Sequence, residues 1–176
     1  KSSFAGFTDD DSLADKIRKI SLHGQNKRYS HEIIGFTGRL DTIQAAILLA
    51  KLPYYKKELE DRERVAKNYS NSITKSLILP IIKSNRTSVW AQYTNIVNNR
   101  DEVKKKLQDE GIPTAIYYPV PLHLQECSKN LGYKKGNFPV SEKLANSMIS
   151  LPIYPLLEQK EILFISRKCS FLSSPD

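Results

Sequence analysis

Three histidines, His23, His31 and His123, and two cysteines, Cys127 and Cys169, carry the most versatile acid-base and metal chemistry in this sequence, and their spacing assembles no obvious site. An imidazole works as acid, base or ligand only when a second group meets it. The histidines are scattered, and the cysteines lie far apart without C-x-x-C spacing or neighbouring histidines suited to metal. That pattern reads as two unpaired thiols in a reducing compartment. The sequence contains no G-x-S-x-G, no H-E-x-x-H, no phosphate-binding loop and no G-x-G-x-x-G. Isolated histidines are structural more often than catalytic, so the residues by themselves indicate a basic α/β domain and no particular reaction.

The chain has 176 residues, 40% of them hydrophobic, enough for one good core or two small ones. No apolar run approaches bilayer length, and the start, Lys1-Ser2-Ser3-Phe4-Ala5-Gly6-Phe7, lacks a secretory apolar core, so the expectation is a soluble, cytoplasmic protein without membrane partners. The net charge of +8 suits nucleic acid, an anionic surface or a phosphorylated small molecule. Because the lysines of stretches such as 51–67 and 104–106 alternate with acidic residues, they read as a solvated face and not as a nucleic-acid stripe.

The elements that would position any site follow from pattern. Thr8-Asp9-Asp10-Asp11 opens an apolar spacing at Leu13, Ile17 and Ile20, the signature of a capped first helix that Gly24 ends. A polar loop runs from Gln25 to about Gly35. From Leu40 a second helix is apolar nearly all round, which implies burial or a subunit interface. Pro53 breaks it, and a long charged helix then runs to near Ser76. Leu77–Ile82 and Val89–Val97 read as strands, so a boundary between units is expected close to residue 77. A polar helix, Asn99–Glu110, is closed by Gly111. A strand, Thr114–Tyr118, runs into Pro119-Val120-Pro121, whose missing amides stop central pairing. After an irregular stretch to Pro139, helices are expected over Ser141–Ser150 and Leu157–Phe171.

Four blocks carry a resemblance. The first is Thr8-Asp9-Asp10-Asp11-Ser12-Leu13-Ala14-Asp15-Lys16-Ile17-Arg18 with His23-Gly24-Gln25 and Arg28-Tyr29-Ser30-His31. The second, Gly35-Phe36-Thr37-Gly38-Arg39-Leu40-Asp41-Thr42-Ile43-Gln44-Ala45-Ala46, is similar to a G-x-N-[SG]-R-L-D-x-x-Q-A-A signature. The third is Ser88-Val89-Trp90-Ala91-Gln92-Tyr93-Thr94. The fourth joins Gly111-Ile112-Pro113-Thr114, Tyr117 through Gln125, Phe138-Pro139-Val140-Ser141-Glu142 and Leu151-Pro152-Ile153-Tyr154-Pro155. In this order and spacing the chain resembles the DegT/DnrJ/StrS aminotransferases, closest to members acting on UDP-linked amino sugars of surface polysaccharide.

The resemblance implies an α/β (α+β) fold, the carboxyl-terminal part of a fold-type-I pyridoxal-phosphate-dependent transferase. It implies a small mixed sheet flanked by helices, together with long helices from the large domain. Residues 1–76 would be the remnant of the cofactor domain and 77–176 the small carboxyl-terminal domain. In such enzymes a lysine tethers pyridoxal phosphate, glutamate supplies the amine, and a UDP-keto-sugar receives it, commonly in a homodimer. Aligned on Thr8, the tethering lysine falls about five residues before Lys1. Lys1 therefore does not match it, no catalytic residue is assigned, and the chain alone is expected to be inactive without bound cofactor. The alternative is a binding or assembly module derived from the family.

Site residues carried over by the resemblance are few. Thr37 stands where the family has an Asn that reaches the cofactor phosphate of the partner subunit, and its hydroxyl has a shorter reach. Arg39 falls where members acting on sugar acids place a substrate-binding arginine across the dimer interface, and its planar guanidinium grips a carboxylate or phosphate bidentately. The alternative for Arg39 is a helix-start pairing with Asp41. His123, on a loop that prolines hold out of the sheet, is expected at the cleft mouth as a substrate contact or a structural hydrogen-bonding group. Tyr118, with Tyr117 and Tyr154, would stack on a nucleotide or else pack in the core.

Overall fold

The computed structural model describes residues 6–73 and 77–170, in two units that divide between Tyr54 and Tyr55. Lys1, Ser76 and Phe171, on which three of the expectations above rest, lie outside the described residues. Among the described residues no helix is long and apolar enough to cross a membrane, and no three His, Cys, Asp or Glu side chains gather as metal ligands.

The first unit begins with α1, Asp11–Ser21. Asp10 caps it, its carboxylate accepting the Leu13 amide at 3.0 Å, because the first amides of a helix have no carbonyl to receive them. At the other end Gly24 donates to Lys19 O at 2.7 Å with φ of 75°. A Cβ there would lie 1.6 Å from Ile33 O, so both the backbone angle and the close approach demand glycine. The expected polar loop is instead a small antiparallel hairpin, β1 (Gln25–Lys27) with β2 (Ser30–His31), turned by Arg28 and Tyr29. The second helix, α2, runs over Thr42–Lys51, and Pro53 converts its continuation into a single 3-10 turn, Leu52–Tyr54. None of its residues is buried: Ile43 is 77% exposed and Leu49 70%.

The second unit holds the core. Its long helix α3, Tyr55–Ser72, buries Val65, Ala66 and Tyr69 against α6, Gln159–Ser170, which buries Ile162, Ile165 and Cys169. By its contacts α3 belongs to this second unit together with the later elements. Strand β3, Tyr93–Ile96, pairs antiparallel with β4, Met148–Leu151, in the register Tyr93↔Leu151 to Ile96↔Met148. Two further segments add one antiparallel bridge each, Ile78 to Ile96 and Ala115 to Ser150.

Among the described residues the pairings of this sheet are antiparallel. They correct two expectations. The segments 77–82 and 114–118 supply single bridges instead of strands, since Pro80 and Pro119 withdraw the amides a longer ladder requires. The helix expected over 141–150 ends at Ser147 as α5, Pro139–Ser147, because Met148–Leu151 is taken up as β4 by the buried strand beside it. Helix α4, Arg100–Asp109, buries Val103 and Leu107 and starts from Asn99 in the left-handed region.

Aromatic rings fill the centre. Tyr69 and Tyr93 lie 5.1 Å apart, and Trp90 stands 5.6 Å from Tyr93. The two buried tyrosine hydroxyls have partners: Tyr69 donates to Pro152 O at 3.0 Å, and Tyr93 shares a 2.9 Å bond with Ser70. Arg62 donates to the carbonyls of Trp90 and Ile153, and Arg64 to that of Pro155, stitching α3 to the loops at the sheet ends.

Candidate functional site

The sequence-derived site residues fall into two groups, one in each unit. In the first unit, Leu22 bridges antiparallel to Thr37, His23 N donates to Phe36 O, and Gly38 N donates to Ser21 O. This lays the segment 36–38 along the end of α1. It brings Thr37 Oγ1 to 2.9 Å from His23 Nε2, with His23 in the left-handed region at φ 61°. His31 Nδ1 donates to the His23 carbonyl at 2.9 Å, which ties the hairpin to the same residue. His23 is a partner for Thr37 that sequence reasoning missed. The motif shows Thr37, whereas the contact joins residues separated by a hairpin.

Arg39 is exposed and forms no bond to Asp41, so the expected alternative pairing is not made. Thr37 and His23 are both exposed, and with His23 Nε2–H donating to Thr37 Oγ1 the threonine hydroxyl keeps its own hydrogen for one phosphate oxygen of a cofactor such as pyridoxal phosphate. They do not by themselves supply the covalent amine or the partner for the ring nitrogen.

In the second unit, Tyr117, Tyr118 and His123 do come together. With Leu122, Phe138 and Met148 they line an open cavity of about 570 Å³ between the 117–123 segment and α5. Its lining is chiefly apolar and aromatic, and the polar side-chain groups among the lining residues belong to Ser141, His123, Tyr117 and Tyr118. Such a cavity suits a flat ring that stacks and carries a few hydrogen-bonding groups at its rim. Tyr118 is 74% exposed with φ of 54°. Tyr154, expected alongside, lines a different cavity of about 490 Å³ with Leu157, Lys160 and Phe164.

His123 sits in the short 3-10 turn Leu122–Leu124, and its side chain is 8% exposed. Its Nε2 donates to Glu142 Oε1 at 3.0 Å, and its ring packs on Phe138 at 4.8 Å. The imidazole is held on an ordered loop, as expected, with that nitrogen committed to a carboxylate. Burial pushes the Glu142 carboxyl up, but bonds donated by Gly136 N–H, His123 and Phe138 N–H outweigh it and hold the group below the usual glutamate value. Sequence reasoning missed Glu142. Its signal is a carboxylate in the first turn after Pro139, the first residue of α5.

Comparison with known proteins sets this geometry in a family. Residues 5–168 match the profile of the DegT/DnrJ/EryC1/StrS aminotransferase family. The chain is 43% identical over 160 residues to UDP-2-acetamido-2-deoxy-3-oxo-D-glucuronate aminotransferase of Pseudomonas aeruginosa, covering 90% of this chain and 44% of that protein. It is 38% identical over 165 residues to a "Pleiotropic regulatory protein" of Geobacillus stearothermophilus, covering 92% of this chain and 44% of that one. The crystal structure of a DegT DnrJ EryC1 StrS aminotransferase from Brucella abortus superposes with a TM-score of 0.81 at 40% identity, over 96% of this chain and 46% of that one. The chain therefore spans less than half the length of the relatives it matches, and its helices and small sheet are those of a fold-type-I pyridoxal-phosphate transferase.

Proposed function

Because this chain belongs to the DegT/DnrJ/EryC1/StrS aminotransferase family, we propose that its residues serve the transfer of an amino group from glutamate to the keto group of a UDP-linked sugar, as the carboxyl-terminal part of a homodimeric enzyme of surface-polysaccharide synthesis in the cytoplasm. The observation that carries the reading is the 43% identity to an aminotransferase whose named substrate is a UDP-linked 3-oxo-glucuronate. Pyridoxal phosphate supplies the electron sink when bound. The residues of this chain have narrower roles. Thr37, backed by His23, donates to the cofactor phosphate of the partner subunit. Arg39 reaches across the dimer interface to grip the carboxylate or phosphate of the sugar nucleotide bound by the partner subunit. Tyr118 and Tyr117 form the aromatic wall against which the nucleotide rests. Residues 1–76 belong with the cofactor domain and 77–176 form the small domain. On this reading no catalytic residue is assigned among these 176 residues, which alone do not turn over.

Calorimetric titration tests the substrate class. The chain should bind UDP-N-acetylglucosaminuronic acid more tightly than neutral UDP-N-acetylglucosamine, and Arg39→Ala should remove that preference, a loss of about tenfold or more for the acidic sugar. Equal affinities for the two sugars, unchanged in Arg39→Ala, would count against a carboxylate role for Arg39. Heat without turnover in the presence of cofactor and glutamate fits either a part of an enzyme or a pure binding module, and amino-sugar formation by these residues alone would refute the inactivity.

A further inference from the structure

The segment that carries Tyr118 is held at two places. Before it, Ala115 and Ser150 of β4 exchange backbone bonds of 3.1 and 2.8 Å. Beyond it, Pro119 and Pro121 offer no amide. The bonds from Leu124 N to Pro121 O, from Gln125 N to Leu122 O and from Gln125 Nε2 to Val120 O close the turn upon itself without attaching it to another element. What ties it outward is the bond from His123 Nε2 to Glu142 Oε1.

Glu142 is set to receive that bond. Its carboxylate also accepts the Gly136 amide at 2.7 Å and the Phe138 amide at 3.4 Å, so it is fixed before His123 reaches it. The pair is nearly out of solvent, His123 at 8% and Glu142 at 13% side-chain exposure. Phe138 packs tilted against the His123 ring and edge-on to Tyr133, with ring centroids 4.8 and 5.1 Å away. A carboxylate that only closed the first turn of α5 could stay in water. Burying it beneath the tyrosine-walled cavity carries a desolvation cost, which the bond to a specific loop offsets.

We propose that Glu142 is a positioning residue of the nucleotide cavity: acting through His123, it holds the 119–124 turn so that Tyr117 and Tyr118 stand as the cavity's aromatic wall. His123 is then a strut between loop and helix, and the ligand meets the tyrosines in its place. The proposal rests on the reading that this cavity receives the nucleotide.

The test is titration of UDP into the whole chain, followed by amide NMR. Glu142→Ala should weaken UDP binding about tenfold. His123→Phe, which keeps a ring against Phe138 but loses the donor, should do the same. The double variant should bind no more weakly than either single one, because both remove one bond. Glu142→Gln, which keeps an acceptor oxygen, should recover most of the affinity, and the Tyr69 and Tyr93 signals of the core should stay in place throughout. Variants that melt earlier yet bind UDP as tightly as the parent overturn the proposal, since the pair would then be purely stabilising. If the parent chain shows no response to UDP, the nucleotide reading fails by itself. The strut is then judged in ligand-free spectra, where unmoved Tyr117 and Tyr118 signals in the two variants refute it and displaced or broadened ones support it. Should Glu142→Ala not fold, His123→Phe carries the same decision.

Discussion

At Tyr118 a bulky side chain occupies a backbone region, φ 54°, that L-residues avoid, and the next residue is a proline. Such a conformation costs on the order of 1–2 kcal/mol and persists only where the surroundings impose it. Ligand-binding segments are where folds tolerate that cost. Replacing Tyr118 with glycine therefore separates two effects of opposite sign: unfolding free energy should rise by about 1 kcal/mol as the strain is relieved, while UDP affinity falls with the lost ring. Calorimetric melting and titration of the same variant read both. A variant that loses stability and keeps its affinity would remove Tyr118 from the site. Arg39 belongs to the same scale. It is exposed and unpaired with Asp41, so its removal should cost little stability and act on ligand alone. Thr37 and Arg39 were singled out in the sequence by their places in the Gly35–Ala46 motif. The pairs His23–Thr37 and His123–Glu142 were not, because each joins residues that only the folded backbone brings within 3.0 Å.

Among the elements, α2 has the largest mismatch between composition and surroundings. Ile43, Ile47, Leu48 and Leu49 are more than half exposed on a helix of ten residues. An apolar surface of that kind is covered in a working assembly. If it is a contact between copies of this chain, Ile47→Glu should shift sedimentation from dimer to monomer at unchanged helix content. A parent chain that is monomeric at high concentration would contradict this. The helix ends were readable because their chemistry is local: Asp10 caps α1, Pro53 ends α2, and Gly111 closes α4. Strand β4 was not. Leu144, Ala145 and Met148 repeat at helical spacing through the end of α5, and only pairing with Tyr93–Ile96, far upstream, extends Met148–Leu151. The single bridges at Ile78 and Ala115 show the converse, where β-branched residues gave the right location and prolines set a shorter length.

For the molecule as a whole, the second unit's core holds groups that titrate only at high pH. Burial pushes the Cys169 thiol up to about 12 and raises the Tyr93 hydroxyl. Both keep their protons in the folded state to a higher pH than in the unfolded chain. The unfolded state therefore releases protons first, and stability is intact below the ordinary thiol value of 9.0 and falls as pH climbs toward 12. At pH 11 the Cys169 share is roughly 2–3 kcal/mol. Denaturant midpoints at neutral and alkaline pH should show the decline, and Cys169→Ala should make it shallower; a midpoint that is flat to pH 11 would contradict the burial. Amide mapping of UDP-N-acetylglucosaminuronic acid on the full chain tests the sugar-nucleotide site most directly. Displaced signals are expected at Tyr117, Tyr118 and Arg39. A spectrum in which these three stay fixed while the residues around Tyr154 and Phe164 move would contradict that site.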